Sequence, residues 1–313
     1  MTQPNTSVLI DQAVDEAGAV DEGKGESLWM GAWRRLRTNV AFLIGLTIVV
    51  AFVILAVISP WIAPHDPTAY LMRDSVTAST PVPGPEPGHP LGGDGQLGRD
   101  LLSRLIVGSQ QTLMVGVLAT LGGLVGGLVL GTLAGAFGGW VDAVVMRIVD
   151  VMLSIPSLLM AFSIAALFSE PTLETVIVAI AIVQVPIFAR LLRGSMLAQR
   201  ESDHILAARS AGVKFGPIVF RHMLPNALGP VIVQSTLVVA TAIIDAAALS
   251  FLGVGSADTR KPEWGQMLGE AQRHIDSYPH LAIYPALCII VVALGFTLMG
   301  EALREALDPK SRR

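Results

Sequence analysis

The sequence predicts an all-α, polytopic membrane bundle of six transmembrane helices with a two-helix loop on its cytoplasmic side. Three observations predict it. Charged residues make up only 15% of the 313-residue chain and mean hydropathy is +0.61, whereas soluble domains carry about 25% charged residues. Six runs are apolar enough, and close enough to the roughly 20 residues a spanning helix needs, to cross a bilayer. Lysine and arginine are unevenly divided among the segments between those runs.

The runs are Val40–Ile58, Leu113–Ala136, Val149–Phe168, Leu173–Leu192, Ala227–Phe251 and Leu281–Gly300. The first has no charge and begins too deep in the chain for an ordinary signal peptide. It follows Arg34, Arg35 and Arg37 closely and precedes no clear small-residue cleavage site, so it reads as a retained anchor. Six crossings put both termini on one side. With that side inside, fifteen of the 21 lysines and arginines lie inside and six outside, which orients both termini to the cytoplasm. Residues 1–27 hold Asp11, Asp15, Glu16, Asp21, Glu22 and Glu26 against Lys24 alone, with no hydrophobic period. They are predicted to be a disordered cytoplasmic tail. Residues 28–313 then form one membrane domain.

The second run carries Gly122, Gly123, Gly126, Gly127, Gly131 and Gly135. Small residues four apart let helix backbones approach closely in lipid. Tight bundle packing and a flexible pore helix both fit them.

Outside the membrane, Ser59 to Arg104 includes "STPVPGPEPGHP", which favours extended, polyproline-like backbone. Such a stretch is either a linker or a docking surface for an external partner. The later outside loop holds "KPEWGQMLGEAQRHI", where Pro262 suits a first helical turn. Trp264, Leu268, Ala271 and Ile275 share one face, opposite Glu263, Gln266, Glu270 and Arg273, so a short amphipathic helix on the membrane surface is expected.

The composition excludes several chemistries. A net charge of −4 with no basic tract points away from nucleic acid. Cys288 is the lone cysteine, so no internal disulfide or cysteine metal cluster forms. No G-x-x-x-x-G-K-[ST] phosphate loop, H-E-x-x-H or G-x-S-x-G occurs. His65, His89, His204, His222, His274 and His280 show no ligand spacing and read as surface residues. Catalytic, cofactor-binding and metal-ligating residues are therefore not expected. One acid, Asp245, lies well inside a run; intramembrane acids are functional candidates by default. A place on a translocation pathway and a structural hydrogen bond are both open to it. Asp150, three residues after Arg147, is expected to pair with it at i,i+3.

The segment "DHILAARSAGVKFGPIVFRHMLPN", Asp203 to Asn226, is basic and punctuated by Gly212, Pro217 and Pro225. A short helix is predicted over Asp203–Ala211, terminated by Gly212 with positive φ. A second is predicted over about Gly216–His222, stopped by Pro225 before the fifth run. Ala207 and Ala211 form a small face at i,i+4, with Ala208 beside it. The pair makes a knob of about residues 200–226 whose small face suits a groove on a partner.

The knob resembles the "EAA" coupling loop of bacterial ABC importer permeases. Ala207, Ala208, Gly212, Leu224 and Pro225 match, and "FRHMLPN" (Phe220–Asn226) is similar to the loop's end in dipeptide and oligopeptide permeases. "HPLGGDGQLGRDLLSRL" (His89–Leu105), "GGWVDAVVMRIVD" (Gly138–Asp150), "ALSFLGVG" (Ala248–Gly255), "PEWGQML" (Pro262–Leu268) and "LREALDP" (Leu303–Pro309) resemble the C-type subunit of that group, in order, over about residues 30–310. Leu206 stands where the family's loop opens with Glu. The resemblance implies a transmembrane permease domain forming half of an alternating-access pathway for peptides or similar small solutes. It also implies a homologous permease subunit, two cytoplasmic ATPase subunits that bind the ATP and Mg, and an extracytoplasmic solute-binding protein. The residues it implies for ATPase docking are Ala207, Ala208, Ala211, Gly212, Leu224 and Pro225. Rival readings are an ion-gradient-driven secondary transporter, which Asp245 alone supports thinly, and a membrane enzyme or scaffold.

Overall fold

The computed structural model describes residues 33–168, 172–256, 258 and 260–307. The acidic tail expected over residues 1–27 lies outside them. The frame is built from α1 (Val40–Ile62), α2 (Leu101–Phe137), α3 (Gly139–Ser154), α4 (Ser157–Ala165), α5 (Leu173–Arg200), α6 (Asp203–Ser210), α7 (Leu224–Phe251), α8 (Trp264–Ala271) and α9 (His280–Leu307). Among the described residues five helices are long and apolar enough to cross a membrane, and the bent α3–α4 pair makes a sixth crossing if counted as one.

α1 begins where the Asn39 side chain accepts the Phe42 N–H at 3.0 Å, satisfying a first-turn donor. Its buried residues, Phe42, Gly45, Val49, Phe52, Ala56 and Ser59, follow a three-four spacing. That spacing lines one seam of a helix. The seam meets α9: a Cβ on Gly45 would lie 2.6 Å from the Met299 nitrogen, and one on Gly295 would lie 2.6 Å from the Ile48 side chain.

α2 has 37 residues. At 1.5 Å per residue it is about 55 Å long, well beyond the ~30 Å hydrocarbon core. Asp100 caps it, accepting the Ser103 N–H at 2.8 Å and hydroxyl at 2.6 Å. Burial pushes the Asp100 carboxyl up, but these bonds and the His89 ring outweigh it and hold the carboxyl below its ordinary range. The glycines at 123, 127, 131 and 135 face α5. An added Cβ would strike Gln184, Phe188, Ala189 and Met196 respectively. The row is therefore a packing seam rather than a flexible stretch. Gly127→Ala is expected to destabilise the protein by about 1–3 kcal/mol through overpacking. A lowered thermal midpoint of the purified protein checks this, with Gly229→Ala, where a Cβ meets nothing within 4 Å, expected to show no loss.

The third crossing departs from the expected single helix over Val149–Phe168. α3 and α4 meet at 94° across Ile155 and Pro156. Proline drives the residue before it out of helical geometry, and Ile155 sits at φ −92°, ψ 131°. Asp150 also departs from expectation: it pairs with Arg190 at 2.6 Å rather than with Arg147. Asp142 likewise pairs with Arg193, so two carboxylates of α3 are held by α5.

The segment before α2 is a folded cap, not a bare linker. Met72 and Val82 are buried, and Asp94, Arg99, Arg104 and Glu270 form an ion-pair network with contacts of 2.6–3.2 Å. The network ties the cap to α8. α8 itself is not on the surface. Trp264, Gly265, Gln266, Met267 and Ala271 are buried while Ile275 is exposed. The Trp264 indole N–H donates to the Leu105 carbonyl at 2.9 Å. Glu263 caps α8 by accepting from Gly265 and Gln266 N–H and from the Ser250 hydroxyl. Burial pushes this carboxyl up from its ordinary value, against those bonds. The expected amphipathic face failed because α7, α9 and α2 all pack against the helix, burying it on more than one side.

Candidate functional site

The site has two parts, a knob at one end of the bundle and a cavity at the α3–α4 bend.

The knob opens with α6. Asp203 stands in its first turn and Arg209 in its last, each matching the helix dipole. The Val213 N–H donates to the Ala208 carbonyl at 3.1 Å and the Gly212 N–H to the Arg209 carbonyl at 3.0 Å. This is a Schellman ending, which needs the left-handed residue that Gly212 supplies at φ +76°. Ile205 is fully buried, whereas Ala207, Ala211, Gly212 and Pro225 are exposed and Ala208 and Leu224 half-buried. The small face thus points outward, accompanied by exposed Leu206, Phe215 and Phe220.

The second half of the knob differs from expectation. A single turn, Phe215–Pro217, passes into a π-helical stretch, Ile218–Met223, and then without a stop into α7. Pro225 lies at the start of α7, directly after the π-helical stretch. The wider π turn leaves room for its ring beside the carbonyl one turn back. The knob is thus rigidly continuous with a membrane helix. Ile205, Ile218, Val219 and Met223 share one buried cluster with Ala136 of α2 and Phe188, Leu192 and Met196 of α5.

The cavity, about 490 Å³, is lined by Ser154, Pro156, Met160, Gln184, Thr241 and Asp245 among others. Proline at the bend moves α4 aside and opens this space. Asp245 is half-buried and has neither hydrogen bond nor ion pair among the described residues. Gln184, from α5, is buried with its Oε1 unpartnered. No lysine or arginine lines the space. Two acceptors without internal donors therefore face it, and a solute donor would satisfy both. Gln184 was missed from the sequence, although a lone amide in the run "VIVAIAIVQVPIF" was a visible signal.

The structure also brings together residues with no common sequence signature. His65 and His89 are half-buried rather than on the surface, stacked at 4.3 Å between centroids beside the fully buried Asp100.

Comparison with known proteins gives the chain's family. The description "binding-protein-dependent transport system inner membrane component" matches residues 127–313, and "N-terminal TM domain of oligopeptide transport permease C" matches residues 27–80. The chain is 41% identical over 295 residues to the dipeptide transport system permease protein DppC of Alkalihalophilus pseudofirmus, covering 93% of each. The chain belongs to the binding-protein-dependent inner-membrane permease family. It is also 41% identical, over 90% of each chain, to the glutathione transport system permease protein GsiD of Escherichia coli O6:K15:H31. A chain of the MetNI methionine ABC transporter, in inward-facing conformations, shares the fold. The TM-score is 0.54 at 21% identity, over 66% of this chain and 98% of that one. The protein is thus a multi-pass inner-membrane subunit of an ABC importer, and permease subunits of this family are not themselves enzymes. The knob is where its sequence resembles the family's coupling loop, with exposed Leu206 in place of the loop's opening Glu.

Proposed function

We propose that this permease forms half of the translocation pathway of an ATP-driven importer for dipeptides or similarly small peptide-like solutes. Its companions are a homologous permease subunit, two cytoplasmic ATPase subunits that bind ATP and Mg, and an extracytoplasmic solute-binding protein. Both termini, and the knob, face the cytoplasm. The observation that carries the reading is the shared cluster of Ile205, Ile218, Val219 and Met223 with α2 and α5. A displacement of the knob by an ATPase cannot be absorbed locally, because close-packed side chains transmit it. α7 carries it on to Asp245. Ala207, Ala208, Ala211, Gly212, Leu224 and Pro225 shape the docking face, and Asp245 lines the pathway. The solute class is supported by the dipeptide and glutathione relatives.

The test is uptake by the reconstituted complex in proteoliposomes. Uptake of dialanine or glutathione is expected to require ATP and binding protein, and to survive collapse of ion gradients. Uptake without ATP that stops with an ionophore would favour a secondary transporter. In cells expressing a Cys288→Ala background, a cysteine at Gly84 is expected to react with an impermeant thiol reagent and one at Lys214 is not; the reverse pattern would overturn the orientation.

A further inference from the structure

We propose that His65, His89 and Asp100 form a binding site for a zinc-type divalent ion at the end of the bundle opposite the knob. α2 fixes the location. Its Phe137 end packs against Phe215 of the knob, ring centroids 5.4 Å apart, so its Asp100 end lies at the other.

Three features carry the site. The first is the donor set. One ring nitrogen of each histidine and a carboxylate oxygen of Asp100 all lie within 4.8 Å of one another. His89 Nδ1 is 2.9 Å from Asp100 Oδ1, and His65 Nδ1 is 3.7 Å from Asp100 Oδ2. A tetrahedral ion with bonds of about 2.0–2.2 Å holds its ligands roughly 3.3 Å apart. His89 and Asp100 already stand near that separation, and His65 needs only a short approach. Two imidazoles and one carboxylate suit zinc, cobalt or nickel, with water at the fourth position, whereas magnesium and calcium take oxygen donors.

The second feature is an unspent ligand atom. His65 Nδ1 is buried and has no hydrogen-bond partner. Its ring is nevertheless held in place, because the His65 backbone N–H donates to Ser103 Oγ at 3.0 Å and the ring stacks on His89. At 3.7 Å it is too far from Asp100 for a hydrogen bond. A metal ion would use the lone pair that the fold otherwise leaves idle.

The third feature is charge. Asp100 is fully buried, and buried charges are paired or coordinate metals. Its partners are the His89 ring, 2.9 Å from Oδ1, and Ser103, while Arg99 and Arg104 pair with Asp94 and Glu270. Ser103 supplies two hydrogen bonds to one carboxylate oxygen but no positive charge. Such outer hydrogen bonds are what orient a ligating carboxylate. Metal here would pin the cap, through His65 and His89, to the first turn of α2.

The experiment uses the full-length protein, purified in detergent and stripped with chelator. Zinc is titrated against a chromophoric competitor, and cobalt is added separately for its visible absorption. One zinc per chain, a tetrahedral cobalt spectrum and a raised thermal midpoint are expected. His65→Phe keeps an aromatic ring for the stack on His89 while removing both ring nitrogens, the unpartnered Nδ1 among them, so its metal-free melting should match wild type. Its zinc affinity should fall by more than about tenfold, and zinc should no longer shift its melting. Wild-type protein that binds no zinc after stripping overturns the site. Equal zinc affinity and stoichiometry in His65→Phe overturns it too, by assigning the binding to other residues.

Discussion

Gly212→Pro is expected to abolish ATP-driven uptake while leaving the membrane helices inserted. Gly212 stands at φ +76°, and proline is locked near −65°. Proline also removes the N–H that donates to the Arg209 carbonyl at 3.0 Å. A local cost of about 3 kcal/mol is the usual scale of such a change, which is roughly a hundredfold in the population of the correctly shaped knob. The damage is confined to backbone, because a Cβ at Gly212 meets nothing within 4 Å. The apolar crossings do not depend on that turn, so insertion and abundance should persist. In the proposed docking the ATPases meet the exposed face of Ala207 and Ala211, whose angle to the π-helical stretch the turn sets. Co-purification of the ATPases should therefore weaken, or solute-stimulated ATP hydrolysis should uncouple from uptake. Gly212→Ala, strained by about 1–2 kcal/mol in left-handed backbone, should fall between. Normal ATPase association, stimulated turnover and uptake in Gly212→Pro would reduce residues 203–226 to a connector.

That turn was legible because only glycine adopts its backbone freely, and the helix before it was legible because its dipole charges and small face are local. Features set by one residue's own geometry or by an unbroken apolar run read well from sequence. The break in the third crossing was missed for the opposite reason. Hydropathy averages over Ile155 and Pro156, and a bent apolar run scores like a straight one. α8 misled because lipid and protein interior are equally apolar, so its pattern does not say which of the two receives Trp264. Pro225 misled because a stop signal in α geometry is tolerated once the preceding turns widen. Arg190 holding Asp150, and His65 meeting Asp100, depend on packing between elements distant in sequence. No spacing rule along the chain reports such meetings.

Asp245→Ala is expected to lower uptake by at least about tenfold with unchanged membrane abundance, and Asp245→Glu to retain more activity than Ala. An aspartate at the centre of a spanning helix disfavours insertion by about 2.5–3.5 kcal/mol, so its removal should not impair insertion. Nor should it unravel packing, since no hydrogen bond or ion pair of Asp245 exists among the described residues to be lost. What changes is the cavity at the α3–α4 bend. Its wall would lose its one carboxylate and keep the unpartnered Gln184 oxygen. A peptide carries donors, its terminal ammonium above all, that must leave water on entering this space. A desolvated donor without an acceptor costs about 1–3 kcal/mol, and more when charged, which amounts to tenfold or more in rate if the passage is limiting. Glutamate preserves the charge at slightly greater reach, whereas alanine preserves neither charge nor acceptor. Uptake is measured per transporter in proteoliposomes, with solute binding to the isolated binding protein as a control that the variant cannot affect. If the Ala variant transports as fast as wild type, Asp245 is neither a pathway residue nor a structural necessity, and the cavity at the bend is a by-product of Pro156 rather than a station for solute.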